Sequence, residues 1–159
     1  MMPSSLSCGS KVVLITDAGI EIGEATARHL ASLGHKLMLG SSRVDRIAAL
    51  ARDITRTGGT ASYQELDATS RGSVRAFLLL AEACFGRPDV LVNTAGTGNG
   101  IVAALPIVEA QGGQIIHVPT DHPLQARAVA RSIGVAISKA ADADINVWID
   151  RTATPGLRT

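Results

Sequence analysis

Short apolar runs alternate with amphipathic stretches along most of the chain. Residues 11–16 (KVVLIT) are apolar, rich in β-branched side chains and bounded by a Gly-containing turn, the pattern of a buried strand. Ile22, Ala25, Leu30 and Leu33 then recur at helical spacing, with Gly34 where a helix C-terminus favours positive φ. A second strand is predicted over 36–40. A second helix follows over 44–56, with Ile47, Leu50, Ala51 and Ile54 on one face and Gly58 and Gly59 after it. Residues 61–66 read as a weaker third strand. Residues 74–85 form a helix with Val74, Phe77, Leu78, Ala81 and Phe85 facing inward, Ser70 as its N-cap, and Gly86 and Pro88 as its stop. A fourth strand (90–92), a short helix (101–110), a strand (114–118), a longer helix (124–141) and a last strand (145–149) complete the pattern.

Apolar strands alternating with helices imply parallel pairing with helices on both faces. If every crossover is right-handed, few topologies survive, and a doubly wound, Rossmann-like parallel sheet leads them. The 159 residues fit one domain spanning 1–159, with a flexible start over 1–10. The Gly-rich stretch 95–100 (AGTGNG) falls at the carboxyl end of the fourth strand, where such sheets bind ligands.

Composition narrows the partners. With 46% hydrophobic residues the chain has the makings of a core, and a net charge of +1 gives no electrostatic reason to expect nucleic acid or an anionic membrane. Its four aromatics (Phe77, Phe85, Tyr63 and Trp148) make a base-stacking surface unlikely. No apolar run reaches the ~20 residues of a membrane helix, and the start MMPSSLSCGSK lacks the layout of a signal peptide, so a cytoplasmic protein is expected. Cys8 and Cys84 stand far apart without a Cys/His cluster, so neither a disulfide framework nor zinc is expected.

The first half resembles the cofactor-binding half of the short-chain dehydrogenase/reductase family. Residues 11–23, KVVLITDAGIEIG, are similar to that family's strand–turn–helix, whose turn usually reads T-G-x-x-x-G-I-G. Residues 66–69 (LDAT) resemble the Asp that contacts adenine, and 85–96 (FGRPDVLVNTAG) the fourth strand with its N-N-A-G motif. Residues 104–120 and 145–159 are similar, more thinly, to the fifth strand and to the sixth with its P-G-x-x-x-T-like loop. The resemblance implies an oxidoreductase with a nicotinamide cofactor held by Thr16, Gly19, Ile22, Gly23, Ser42, Arg43, Asp67, Asn93, Ala95 and Gly96. NADP is favoured over NAD: after the second strand stand Gly40, Ser41, Ser42 and Arg43, which offer a hydroxyl and a guanidinium to a 2′-phosphate and no acid to the ribose. Arg43 reads equally as a solvated residue starting the next helix.

The departures from the family pattern predict weak chemistry. Asp17 and Glu21 replace the first two turn glycines, where backbone N–H groups and a helix N-terminus should approach a pyrophosphate. Each carboxylate at about 5 Å costs roughly 1–3 kcal/mol against a phosphate, so together they weaken binding by about a hundredfold. Glu21 also reads simply as a first-turn residue that complements the helix dipole. The family's Tyr and the Lys four residues later have no counterpart. Tyr63, the one tyrosine, lies in the third strand, and the family positions fall near His122 or Pro123 and near Ala126 or Arg127. The Ser position falls near Pro119 or Thr120, and the stretch after Gly96 is too short for the helix that carries the family's Asn. The chain ends at Thr159, before the family's substrate loop, so a shortened member without assignable catalytic residues is expected.

Other chemistry-bearing residues have simpler readings. Thr120, Asp121 and His122 juxtapose a hydroxyl, a carboxylate and an imidazole, but immediate neighbours seldom converge, and Thr or Asp before a helix is usually an N-cap. His117 reads as a core or strand-edge residue, His29 and His35 as surface residues beside a helix end, and Asp142, Asp144 and Asp150 as solvated. Lys139 lies at the wrong end of its helix to serve as the family lysine. The helix over 124–141 carries Val129, Ile133, Ala136, Ile137 and Ala140 in a broad stripe, widened by Leu124, Ala128 and Val135. This suggests a homodimer through that helix, although the stripe also suits packing on the sheet. Three readings stand: a reductase-like protein with a residual nucleotide site, a catalytically silent scaffold, and a chain cut down from a longer reductase.

Overall fold

The structure, a computed structural model, describes residues 9–95, 99–118, 125–138, 146–149 and 157–158, of which 99–100, 146–149 and 157–158 are described by their backbone alone. The elements follow in the order β1 (Val12–Ile15), α1 (Glu21–Ser32), β2 (Lys36–Ser41), α2 (Val44–Arg56), β3 (Thr60–Glu65), α3 (Arg71–Phe85), β4 (Val90–Asn93), α4 (Asn99–Ala110), β5 (Gln114–His117), α5 (Ala126–Ser138), β6 (Asn146–Ile149) and β7 (Leu157–Arg158). The strands form one sheet in the order β3-β2-β1-β4-β5-β6-β7. β7 pairs antiparallel and every other pairing is parallel. This is the expected Rossmann-like architecture.

The strands alternate their side chains between two cores, as a sheet covered on both faces requires. Val13, Ile15, Leu37, Leu39, Val90 and Val92 face α1, α2 and α5. Val12, Leu14, Met38, Leu91 and Ile115 face α3 and α4. β3 has little buried surface, in keeping with its polar sequence and its place at the sheet edge. Ser70 caps α3 as expected, its hydroxyl accepting the Ser73 N–H at 3.2 Å. Pro106 sits inside α4, where it removes the bond that its nitrogen would have made to the Val102 carbonyl.

The last crossover departs from the expectation of uniform handedness. From β4 to β5 and from β5 to β6 the chain moves in the same direction across the sheet. Yet α4 lies on one face and α5 on the other, beside α1. The β5–α5–β6 connection is therefore opposite in hand to β4–α4–β5, whereas a uniform set would place α5 beside α4. The physical reason is the fit of α5 to the open end of the first core. Val129, Ile133, Ala136 and Ile137 cover Val90, Val92 and Ile116. Gly134 lets α1 approach so closely that a Cβ there would lie 3.0 Å from His29 Nε2. Of the stripe that suggested pairing through this helix, Val129, Ile133, Ala136 and Ile137 are buried within the chain, Val135 is exposed, and Leu124 and Ala140 lie outside the described residues.

His35 also departs from expectation. It is 7% exposed, because its loop runs back beneath the start of β1, where its Nδ1 accepts the Lys11 N–H at 3.1 Å. Burial and the nearby Lys11 charge depress its pKa, with Asp89 opposing; burial and Arg131 depress that of His29. An unfolded chain therefore takes up protons on these rings before the folded one does. Their contribution to stability is complete above about pH 6.5 and is lost as pH falls below it. Melting midpoints should fall between pH 7.5 and 5.5, and less steeply in His35→Gln, whose amide oxygen keeps the Lys11 bond without titrating. Equal slopes for the two proteins would show that His35 does not contribute.

Candidate nucleotide site

The carboxyl ends of β3, β2, β1, β4 and β5 lie side by side, so the loops after β1, β2 and β3 and the first residues after β4 share one rim. Backbone bonds tie the rim together: the Ala18 N–H donates to the Gly40 carbonyl at 2.8 Å and the Leu66 N–H to the Ser41 carbonyl at 3.0 Å. Asp67, Ser42, Arg43, Gly19, Asn93 and Ala95 thus gather from four separate stretches of sequence. Gly96 lies outside the described residues, as do Thr120, Asp121, His122, Lys139 and the three late aspartates.

The loop after β1 is tightly built. A Cβ on Gly23 would fall inside the Asp17 carbonyl oxygen, and one on Gly19 would meet Ser41 Oγ at 2.5 Å. Gly23 admits no Cβ because backbone blocks it, whereas Gly19 is crowded by a hydroxyl that can turn aside; the two retained family glycines shape the cradle. Ile22 turns its side chain into the core at 8% exposure, leaving only its backbone at the rim. Asp17 and Glu21 act differently from each other. Asp17 curls its side chain inward, and its Oδ1 accepts the Gly19 N–H at 3.0 Å, a local turn that satisfies an amide of the cradle. Glu21 opens α1 as an exposed residue, with Glu24 in the same turn; Ile20, at the N-cap, supplies no side-chain cap. The helix end therefore carries negative charge where an anion would bind.

Beneath this loop lies a buried polar network that sequence reading did not reveal. Thr16 Oγ1 donates to Asn93 Oδ1 at 2.9 Å and accepts the Thr94 N–H at 3.0 Å. Thr94 Oγ1 accepts the Asp17 N–H at 3.1 Å and donates to the Asp17 carbonyl at 3.0 Å. Asn93 Oδ1 also accepts the Ala95 N–H at 3.2 Å, which fixes the amide orientation and aims Nδ2 at His117 Nδ1, 3.4 Å away. Thr16, Asn93, Thr94 and His117 are each 5% exposed or less. Thr16 and Asn93 thus brace the rim from within, and His117 is the core residue its strand suggested.

The outer rim is open. Ser42 and Arg43 are exposed, and the Arg43 N–H is held by Ser41 Oγ at 3.0 Å at the start of α2. Arg46, one turn further on and also exposed, adds a cation that sequence reading passed over. Asp67 is exposed too. Its Oδ1 accepts from the Thr69 hydroxyl at 2.6 Å and the Thr69 N–H at 3.0 Å, and these bonds, the hydroxyl's foremost, hold its carboxyl below the usual range. Among the described residues no three His, Cys, Asp or Glu gather as a metal site.

A family model described as short chain dehydrogenase matches residues 11–126. The chain belongs to the short chain dehydrogenase family. A Streptomyces virginiae protein named for ketoacyl reduction in monensin polyketide synthesis is 42% identical over 97 residues, which cover 60% of this chain and 37% of that protein. An uncharacterized oxidoreductase of Listeria innocua is 32% identical over 133 residues, covering 67% of this chain and 54% of the relative. Among solved structures, L-sorbose reductase of Gluconobacter frateurii, complexed with NADPH and L-sorbose, superposes with a TM-score of 0.61 at 27% identity, covering 70% of this chain and 53% of that one. A metagenomic short-chain oxidoreductase in complex with NADP gives a TM-score of 0.64 at 16% identity, over 87% of this chain and 96% of that one, a likeness of fold. The chain spans between a third and about half the length of the curated relatives it matches.

Proposed function

We propose that this oxidoreductase-like domain is a weak NADP(H)-binding protein that does not itself carry out carbonyl reduction by the family's Tyr–Lys route. The observation that carries the reading is the Asp17–Gly19 bond. It places a carboxylate inside the phosphate cradle and occupies one of its amides. The residues fit the adenosine end of a dinucleotide: Ser42, Arg43 and Asp67 are exposed on the rim beside a cradle shaped by Gly19 and Gly23. They do not fit the pyrophosphate, which would meet Asp17 and Glu21. Two of the structural relatives hold NADPH or NADP, in line with the choice of cofactor.

Isothermal titration tests this. Wild type should bind NADPH in the high micromolar range or more weakly, with NADH weaker still. The double change Asp17→Gly and Glu21→Gly should strengthen NADPH binding by about tenfold or more, because it removes like charge and frees the Gly19 amide. The gain should shrink with salt, which screens exposed charges beyond about 10 Å at 0.1 M. Low-micromolar binding by wild type would overturn the reading. No binding by either protein at millimolar cofactor would favour a silent scaffold derived from a reductase.

A further inference from the structure

We propose that α5 is a built-in latch, a cover that lifts off α1 and the sheet as one unit while the rest of the chain stays folded. Among the described residues three buried side-chain atoms have no hydrogen-bond partner: Thr26 Oγ1, Gln114 Oε1 and Gln114 Nε2. All three lie on the surfaces that α5 covers. Thr26 is fully buried and stands one turn before His29, on the stripe of α1 that continues to Leu33. A Cβ on Gly134 would meet His29 Nε2 at 3.0 Å and Leu33 Cδ1 at 3.2 Å, so this stripe faces α5. Gln114 is 7% exposed and shares its face of β5 with Ile116, which belongs to the core closed by Val129, Ile133, Ala136 and Ile137.

A polar atom buried without a partner gives up water and gains nothing, and opening the cover returns the water. Here that cost is concentrated at one interface, because the side chains with which α5 closes the core, Val129, Ile133, Ala136 and Ile137, carry neither donor nor acceptor. The connection adds to it. β5–α5–β6 is opposite in hand to β4–α4–β5, and strand–helix–strand units pack back onto a sheet readily in one hand alone. The rest of the fold does not depend on α5. The second core is closed by α3 and α4, the Thr16–Asn93 bond joins β1 to β4, and Arg28 ties α1 to Asp53 of α2. A unit held by apolar contact over orphaned polar groups opens at a lower free energy than the whole domain. The proposal is independent of nucleotide binding.

Hydrogen exchange of the full chain, followed by mass spectrometry, tests this. Amides of α5 should exchange about tenfold or more faster than those of α1, which shares the interface but stays in place. Thr26→Val and Gln114→Met remove the orphaned atoms at nearly constant volume. Each should slow exchange in α5 by about fivefold and leave α3 unchanged. Gly134→Leu no longer fits against His29, so it should expose the α5 amides while β1, α2 and α3 keep their protection. Equal protection of α5 and α1 in wild type would overturn the proposal. So would unchanged or faster α5 exchange in both Thr26→Val and Gln114→Met, or a Gly134→Leu protein that loses protection throughout.

Discussion

Gly23→Ala should cost about 3 kcal/mol or more and lower the melting midpoint by roughly 6–12 °C, the largest effect of any single methyl group added to the rim. The new Cβ would coincide with the Asp17 carbonyl oxygen and crowd the Ala18 Cα at 2.8 Å. Both are backbone atoms and cannot turn aside, so the loop after β1 must move away from α1. That movement strains the Asp17–Thr94 pair of bonds, which joins the loop to the end of β4. Gly19→Ala is the control. Its Cβ meets Ser41 Oγ, a hydroxyl that can rotate at the expense of its bond from the Arg43 N–H, so the loss should be well under half as large. Calorimetry of the two variants separates the cases, and equal losses would show that Gly23 is not the tighter position.

What the sequence discloses about this fold tracks how local the determining forces are. The helix over 44–56 is read to the residue, because Ile47, Leu50, Ala51 and Ile54 repeat on one face and glycines close it. Ser70 is legible as a cap because capping joins residues three apart. His35 is misread as a surface residue because it is buried against the start of β1, which only folding brings near. The side chosen by α5 is equally illegible: its stripe states that one face must be covered, while the choice between the two cores depends on Gly134 meeting His29. The strand β7 is two residues long, too short for any periodicity.

The site divides in the same way. The replacement of glycine by Asp17 and Glu21 is plain in the sequence; Asp17 stands in the loop after β1 and Glu21 at the first position of α1. Their different roles are not plain, since only the turn geometry shows Asp17 bound to an amide while Glu21 faces solvent. Thr16 and Asn93 are visible as family positions, but their bond to each other spans 77 positions and follows from the pairing of β1 with β4.

Asn93→Ala should destabilise the protein by about 2–4 kcal/mol, since it strips partners from several buried groups at once. Asn93 Oδ1 is the acceptor for the Thr16 hydroxyl and the Ala95 N–H, and Nδ2 points at His117. With alanine there, the Thr16 hydroxyl loses its acceptor in a site 2% exposed, and the loop after β4 loses its inner tether. Asn93→Asp distinguishes loss of the acceptor from loss of the whole side chain. Its carboxylate still accepts from Thr16 and Ala95, so part of the stability lost in Asn93→Ala should return. Chemical unfolding of wild type, Asn93→Ala and Asn93→Asp at one pH near neutrality measures all three. If Asn93→Asp is no more stable than Asn93→Ala, the Oδ1 bonds are not what holds the ends of β1 and β4 together.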